Sequence, residues 1–189
     1  EVEAALQEIK TLVDANVVDL TTTQVTIPVP LATLRESTTS AVPNLAAHGG
    51  ILASDSTPIL NTVNADTDGS YRLTWAASNS DAIQFQTVIP RDLDTDEDVV
   101  IHFVGSMNGD TDTVVIASDC YFDVGDTKVE DASSAVDGAT VTEYTITIAA
   151  ADVPASFVMN CELTPAAHTT NILYMHGIWI EYTRKQLAL

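Results

Sequence analysis

The groups in this sequence with chemistry to offer are four histidines, two cysteines and 27 acidic side chains. His48, His102, His168 and His176 never stand as H-x-H or H-x-x-x-H, so they could share a metal only if the fold gathered them. Isolated histidines are the expectation. Asn64-Ala65-Asp66-Thr67-Asp68-Gly69 opens like a calcium loop, with side-chain oxygens at alternate positions and then a glycine. Where that loop needs its closing bidentate Glu, this sequence has Trp75. No metal is therefore expected, and Asn64, Asp66 and Asp68 are the residues that would serve if one bound. A second acidic cluster, Asp92, Asp94, Asp96, Glu97 and Asp98, reads as a turn between strands. Carboxylate pairs for glycoside hydrolysis carry no information when 27 acids are present.

His48-Gly49-Gly50 resembles the oxyanion loop of esterases, but no G-x-S-x-G elbow accompanies it, so neither an enzyme nor a cofactor is expected. Cys120 and Cys161 are too few for a disulfide framework. Each falls on the inward side of a strand pattern, and two buried thiols packing as small hydrophobes are expected. A single bridge between them stays open. Trp75 reads as core; Trp179 lies opposite Ile178 and Ile180 and reads as core or interface before it reads as a sugar platform.

Charge narrows the partners. Seven Lys and Arg against 27 Asp and Glu give 7 − 27 = −20. Between residues 73 and 183 the cationic side chains are Arg91 and Lys128. Nucleic acid is excluded, because gripping phosphates needs a basic footprint. No apolar run approaches the roughly 20 residues that span a bilayer, so no membrane partner is expected. Glu1-Val2-Glu3 lacks the basic start of a signal peptide. Hydrophobic residues at 46% exclude intrinsic disorder.

Any such groups must be positioned by strands. In residues 1–20, Val2, Leu6, Ile9, Val13, Asn16 and Leu20 follow heptad spacing, so a short coiled-coil-like helix is expected. Val2, Leu6, Ile9 and Val13 would form its oligomerising seam. Residues 21–36 read as an extended arm or edge strand, since Pro28 and Pro30 bar the run from a central ladder position. Residues 37–58 read as loop with one short strand at Gly50–Ala53. Thereafter apolar residues alternate in run after run: Tyr71, Leu73, Trp75; Ile83, Phe85; Val99, Ile101, Phe103; Val114, Ile116, Cys120, Phe122; Tyr144, Ile146, Ile148; Phe157, Met159, Cys161, Leu163. Ile172 to Thr183 closes the series, with Gly177 as a bulge. Strands without interleaved helices predict a mainly β fold, an antiparallel β-sandwich (jelly roll) over residues 37–189.

The phrases TIPVPLATLRE, GGILASDSTPIL, WAASNSDAIQFQ, VIPRDLDTDEDVVIHFVGSM and ILYMHGIWIEYT resemble tailed-bacteriophage virion accessory proteins, trimeric jelly-roll capsid decoration (cement) or head-fibre proteins. The resemblance implies a structural, non-enzymatic homotrimer on the capsid exterior, partnered by the major capsid protein or another virion protein. Gln24, Ile27, Pro28, Val29 and Pro30 would then be the capsid-attachment arm, and removing residues 1–36 would leave a folded sandwich. The alternative is a receptor- or glycan-binding module of a phage tail or head fibre.

Overall fold

The computed structural model describes residues 2–3, 5–7, 10, 22–37, 58–64, 68–122, 127–154 and 158–185. Their strands are β1 (Thr22–Pro28), β2 (Arg35–Ser37), β3 (Ile59–Asn64), β4 (Asp68–Trp75), β5 (Ala82–Val88), β6 (Val99–Met107), β7 (Thr113–Val114), β8 (Ile116–Tyr121), β9 (Val129–Ala132), β10 (Val136–Asp137), β11 (Thr142–Ile148), β12 (Val158–Pro165) and β13 (Leu173–Lys185). Two antiparallel sheets are built from them. Sheet one runs β11-β6-β13-β4-β3, with β1 also paired to β13; sheet two runs β2-β5-β12-β8-β9; β10 and β7 make a separate ribbon. The chain is a β-sandwich, as the alternation predicts.

Period-two alternation sets which side chains meet between the sheets. Leu73, Trp75, Ile101, Phe103, Ile146 and Ile180 from sheet one, and Ile83, Met159 and Leu163 from sheet two, are fully buried. Phe103 stacks on Tyr144 with ring centroids 5.4 Å apart. The register of β13 on β6 shifts between Met175 and Gly177, so the expected bulge is present. Two short pairings escape the sequence pattern. β3 pairs with β4, and β2, three residues long, pairs with β5. The expected strand at Gly50–Ala53 lies outside the described residues.

Two expectations are corrected. Cys120 and Cys161 are bridged rather than free. They sit directly opposite one another on β8 and β12, both fully buried, so the strand register brings the sulfurs together. The Pro-bracketed segment, expected as an extended arm or edge strand, is an edge strand, and what it overturns is the expectation that the sandwich folds without residues 1–36. β1 pairs along its whole length with β13, Thr22 opposite Lys185 through Pro28 opposite Trp179. Val29 donates its N–H to the Ile178 carbonyl at 3.2 Å and is buried. Leu34 is 0% exposed in the core. The prolines fix an edge position, and burial of Val25, Ile27, Val29 and Leu34 makes that edge part of the sandwich. Removing residues 1–36 would therefore open the core.

The loop after β6 is clamped to the loop before β13. Asp112 Oδ2 accepts the backbone N–H groups of Thr169, Thr170 and Asn171 at 3.1, 2.6 and 2.8 Å. Asn171 Oδ1 in turn accepts from Thr111 and Asp112 N–H. Gly109 passes so close to the Asn171 amide that a Cβ there would collide with it. The Asn171 and Thr170 N–H groups hold the Asp112 carboxyl below its ordinary value.

Candidate functional site

The two outer faces of the sandwich differ in what their side chains do. On sheet one the large polar and aromatic side chains are engaged with each other. Trp179 is half-buried and stacks on His102, its cross-strand partner, with centroids 5.1 Å apart and planes 10° apart. His102 Nδ1 is hydrogen-bonded to Glu143 Oε1 at 2.7 Å. The Arg72 guanidinium lies 3.9 Å over the Tyr174 ring. Ser106 Oγ and His176 Nε2 are 3.1 Å apart, the reach of a nucleophile and its base. Ser106 is buried, however, and among the described residues no carboxylate orients the imidazole. Burial, with Arg72 nearby, lowers the His176 pKa.

On sheet two the outward positions carry amides and charges around a groove. β5 turns Ile83 and Phe85 inward and presents Gln84 and Gln86 outward; β12 turns Met159, Cys161 and Leu163 inward and presents Asn160 and Glu162. Arg35 of β2 lies opposite Gln84. A 3-10 turn, Leu31–Thr33, brings Thr33 to the rim, where its hydroxyl donates to the Pro30 carbonyl at 2.7 Å. Together Thr33, Arg35, Gln84, Phe85, Gln86 and Asn160 line a groove of about 350 Å³. Gln84 Nε2 donates to Asn160 Oδ1 at 2.7 Å, which fixes both amides and leaves the Asn160 NH₂ and the Gln84 carbonyl oxygen for a ligand. Asn160 has Gln86 on one side and Tyr121, 37% exposed, on the other. One step further along, Val88 and Val158 are paired, 66% and 41% exposed, and give the face an apolar lip. On the far side Lys128 is held by Glu130 at 2.6 Å and Asp119 at 2.9 Å, contacts that raise its pKa. Amides, a guanidinium and a modest apolar surface suit a ligand recognised by hydrogen bonds and ring contact.

The residues expected from sequence scatter elsewhere. Val2 and Leu6 are helical and 75% and 61% exposed, while Ile9 and Val13 lie outside the described residues. Gln24 and Pro28 are exposed on the edge strand, Ile27 packs on the core, and Pro30 leads into the 3-10 turn. Asn64 and Asp68 pair at the end of the β3–β4 hairpin; Asp66 lies outside the described residues. Among the described residues no cluster of His, Cys, Asp and Glu could hold a metal ion. The second acidic cluster is used structurally: Asp92 accepts from Arg184 Nε at 2.6 Å and Tyr182 Oη at 3.3 Å, and Asp98 accepts from the Ala150 N–H at 2.9 Å. No described helix is long and apolar enough to cross a membrane. Alternation with Ile83, Phe85, Met159 and Cys161 puts Gln84, Gln86 and Asn160 on outward positions but assigns them no role. The signal was amides where an exposed strand face more often carries Thr or charge.

No family model matches the chain, and neither does any curated protein. Solved structures match its fold. The xylan-binding module CBM15 is 16% identical, with 87% of this chain and 100% of that one covered and a TM-score of 0.53. The CBM22-1 and GH10 modules of a Clostridium thermocellum endo-1,4-beta-D-xylanase complexed with xylohexaose are 12% identical at a TM-score of 0.48. That match covers 88% of this chain, which spans 28% of the xylanase chain. A family 30 carbohydrate-binding module of a cellulosomal cellulase from the same organism is 13% identical over 84% of this chain and 96% of that one, at a TM-score of 0.44. The class these comparisons define is one of fold: the chain is a β-sandwich like that of CBM15.

Proposed function

We propose that this chain is a non-catalytic, glycan-binding β-sandwich module of jelly-roll type that takes its ligand in the groove on the outer face of sheet two. One observation carries the reading: oriented amides lie beside an open apolar lip and a tyrosine on one face. A pyranose ring offers hydroxyls that both donate and accept, and an amide answers both demands at once. Its C–H face needs apolar or aromatic contact, which Val88, Val158 and Tyr121 supply. A module whose namesake ligand is xylan shares the fold, which agrees with the reading but does not carry it. Isothermal titration with xylohexaose, cellohexaose and uronate-containing oligosaccharides tests it. At least one should bind in the micromolar to millimolar range, and the double variant Gln84→Ala with Asn160→Ala should lose that binding while remaining folded. No binding by any of them at about 1 mM would refute the proposal.

A second reading keeps the homotrimeric accessory protein on the exterior of a bacteriophage virion that the sequence phrases resemble, and the N-terminal segment favours its trimer. Val2 and Leu6 carry apolar surface on helical residues with 75% and 61% exposure, a seam that a second and third copy would cover. The two readings meet in a fibre that presents three glycan-binding modules, where linked weak sites gain from avidity. Light scattering should return three times 20.1 kDa, and Leu6→Asp with Ile9→Asp should return a monomer. A monomeric wild-type chain at micromolar concentration would rule the trimer out.

A further inference from the structure

We infer that the groove selects a glycan bearing a carboxylate, a uronic acid or similar acidic sugar, and that Arg35 is the residue that reads it. The inference rests on the glycan-binding reading and adds the ligand's charge. Its basis is how the chain uses its few cations. There are 27 acids and only 7 bases, so a half-buried basic side chain with neither an acidic partner nor a ring against it stands out. Lys128 is taken by Glu130 and Asp119, Arg184 by Asp92, and Arg72 by the Tyr174 ring. Arg91 and Lys185 are exposed to water. Arg35 is half-buried, and among the described residues it makes no ion pair. The groove it enters is lined by Thr33, Gln84, Phe85, Gln86 and Asn160 and by no carboxylate.

A half-buried guanidinium without a counter-ion keeps an electrostatic demand that neutral amides meet only in part, since amides also have donors to satisfy. Its planar fork matches a carboxylate bidentately. The acids on the same face stand away from it. In cross-strand order the row reads Arg35, Gln84, Glu162, Asp119, Glu130, so Gln84 separates Arg35 from Glu162, and Lys128 answers Asp119 and Glu130. This order gives the ligand a direction. The acidic sugar sits at the β2 end over Arg35, and neutral sugar units lie across Gln86 and Asn160 toward Tyr121. The overall charge of −20 opposes an acidic polymer at long range, but physiological salt screens that field beyond about 8 Å while a direct contact keeps its strength.

The test is isothermal titration of the full chain at physiological salt with two matched probes, xylohexaose and a glucuronate-substituted xylo-oligosaccharide, and with hexagalacturonate as a fully acidic third. The wild type should bind at least one acidic probe roughly tenfold or more tighter than the neutral one. Arg35→Gln should weaken the acidic probe roughly tenfold or more beyond any loss it causes for the neutral one, erasing that preference, and Arg35→Lys should restore part of it. Thermal unfolding of each variant separates loss of binding from loss of fold; if Arg35→Gln does not fold, the wild-type preference and Arg35→Lys decide. Equal or tighter binding of xylohexaose by the wild type overturns the acidic-sugar inference and leaves the glycan groove standing. An acidic preference that survives in Arg35→Gln overturns the role of Arg35. Failure of all three probes to bind at about 1 mM overturns this inference, and failure of cellohexaose as well overturns the groove as a glycan site.

Discussion

The outer faces of sheet one and sheet two are made by the same alternating pattern, yet they have opposite fates. Sheet one carries the more eye-catching side chains: Trp179, Tyr174, His102, His176 and Arg72. Each lies against a neighbour, Trp179 on His102 at 5.1 Å and Arg72 on Tyr174 at 3.9 Å, and the atoms left without a hydrogen bond, Arg72 Nε and His102 Nε2, are buried away from a ligand. Sheet two carries Gln84, Gln86, Asn160 and Arg35, which are plainer and less engaged. Binding capacity belongs to groups whose hydrogen-bonding potential is left over after folding and stays open to solvent. An aromatic that has already found its stacking partner has little left to offer.

The largest effect expected from breaking this contrast lies beneath sheet two. The bridge between Cys120 and Cys161 ties β8 to β12 directly under the groove. Replacing both cysteines by Ala should cost about 2–4 kcal/mol in denaturant unfolding. Protein that remains folded should still bind glycan, because the amides are set by strand register. Next comes Trp179→Ala. Its ring is half-buried, so the loss should be about 2 kcal/mol, below the range for a fully buried aromatic, with glycan affinity unchanged. Asn160→Ala should show the reverse, little change in stability and roughly tenfold weaker binding, equivalent to about 1.4 kcal/mol.

The smallest effects are those of pH, and they too divide the molecule. Burial lowers the folded-state pKa of His176 below its ordinary 6.5, so its contribution is present above that value and is lost as pH falls through the folded value. Asp112, held below 3.8 by the N–H groups of Asn171 and Thr170, contributes above that value and is lost as pH falls through its own folded value. The melting temperature should therefore fall on the acid side in two stages, and His176→Gln should remove the first. Groove side chains Thr33, Gln84, Gln86 and Asn160 carry no ionisable group, so their share of glycan affinity should be flat between about pH 5 and about pH 9. A binding curve that follows the His176 stage would move the site to sheet one.

Much of the scaffold was legible. Alternation of Ile83 with Phe85, Ile146 with Ile148, and Met159 with Cys161 and Leu163 named residues that the sandwich buries, and Gly177 named the bulge. Local pattern reports burial because burial repeats every second residue. The groove was not legible in the same way. Gln84 and Asn160 are 76 residues apart and meet only through the register of β5 on β12. Arg35 reaches them through a strand of three residues, too short to alternate visibly. The bridge between Cys120 and Cys161 depends on register too, across 41 residues. The Pro28 and Pro30 signal gave the edge correctly but not whose edge. Nothing local distinguishes pairing with β13 of the same chain from pairing with a neighbour.

The central claim is that ligand meets sheet two and leaves sheet one untouched, and side-chain amide and indole resonances report the two faces separately. In a ¹H–¹⁵N spectrum of the full chain titrated with the tightest-binding oligosaccharide, the NH₂ signals of Gln84, Gln86 and Asn160 should shift in step with occupancy while the Trp179 indole N–H stays in place. An indole that moves with unmoved amides would contradict the account and put the site on the face assigned here to packing.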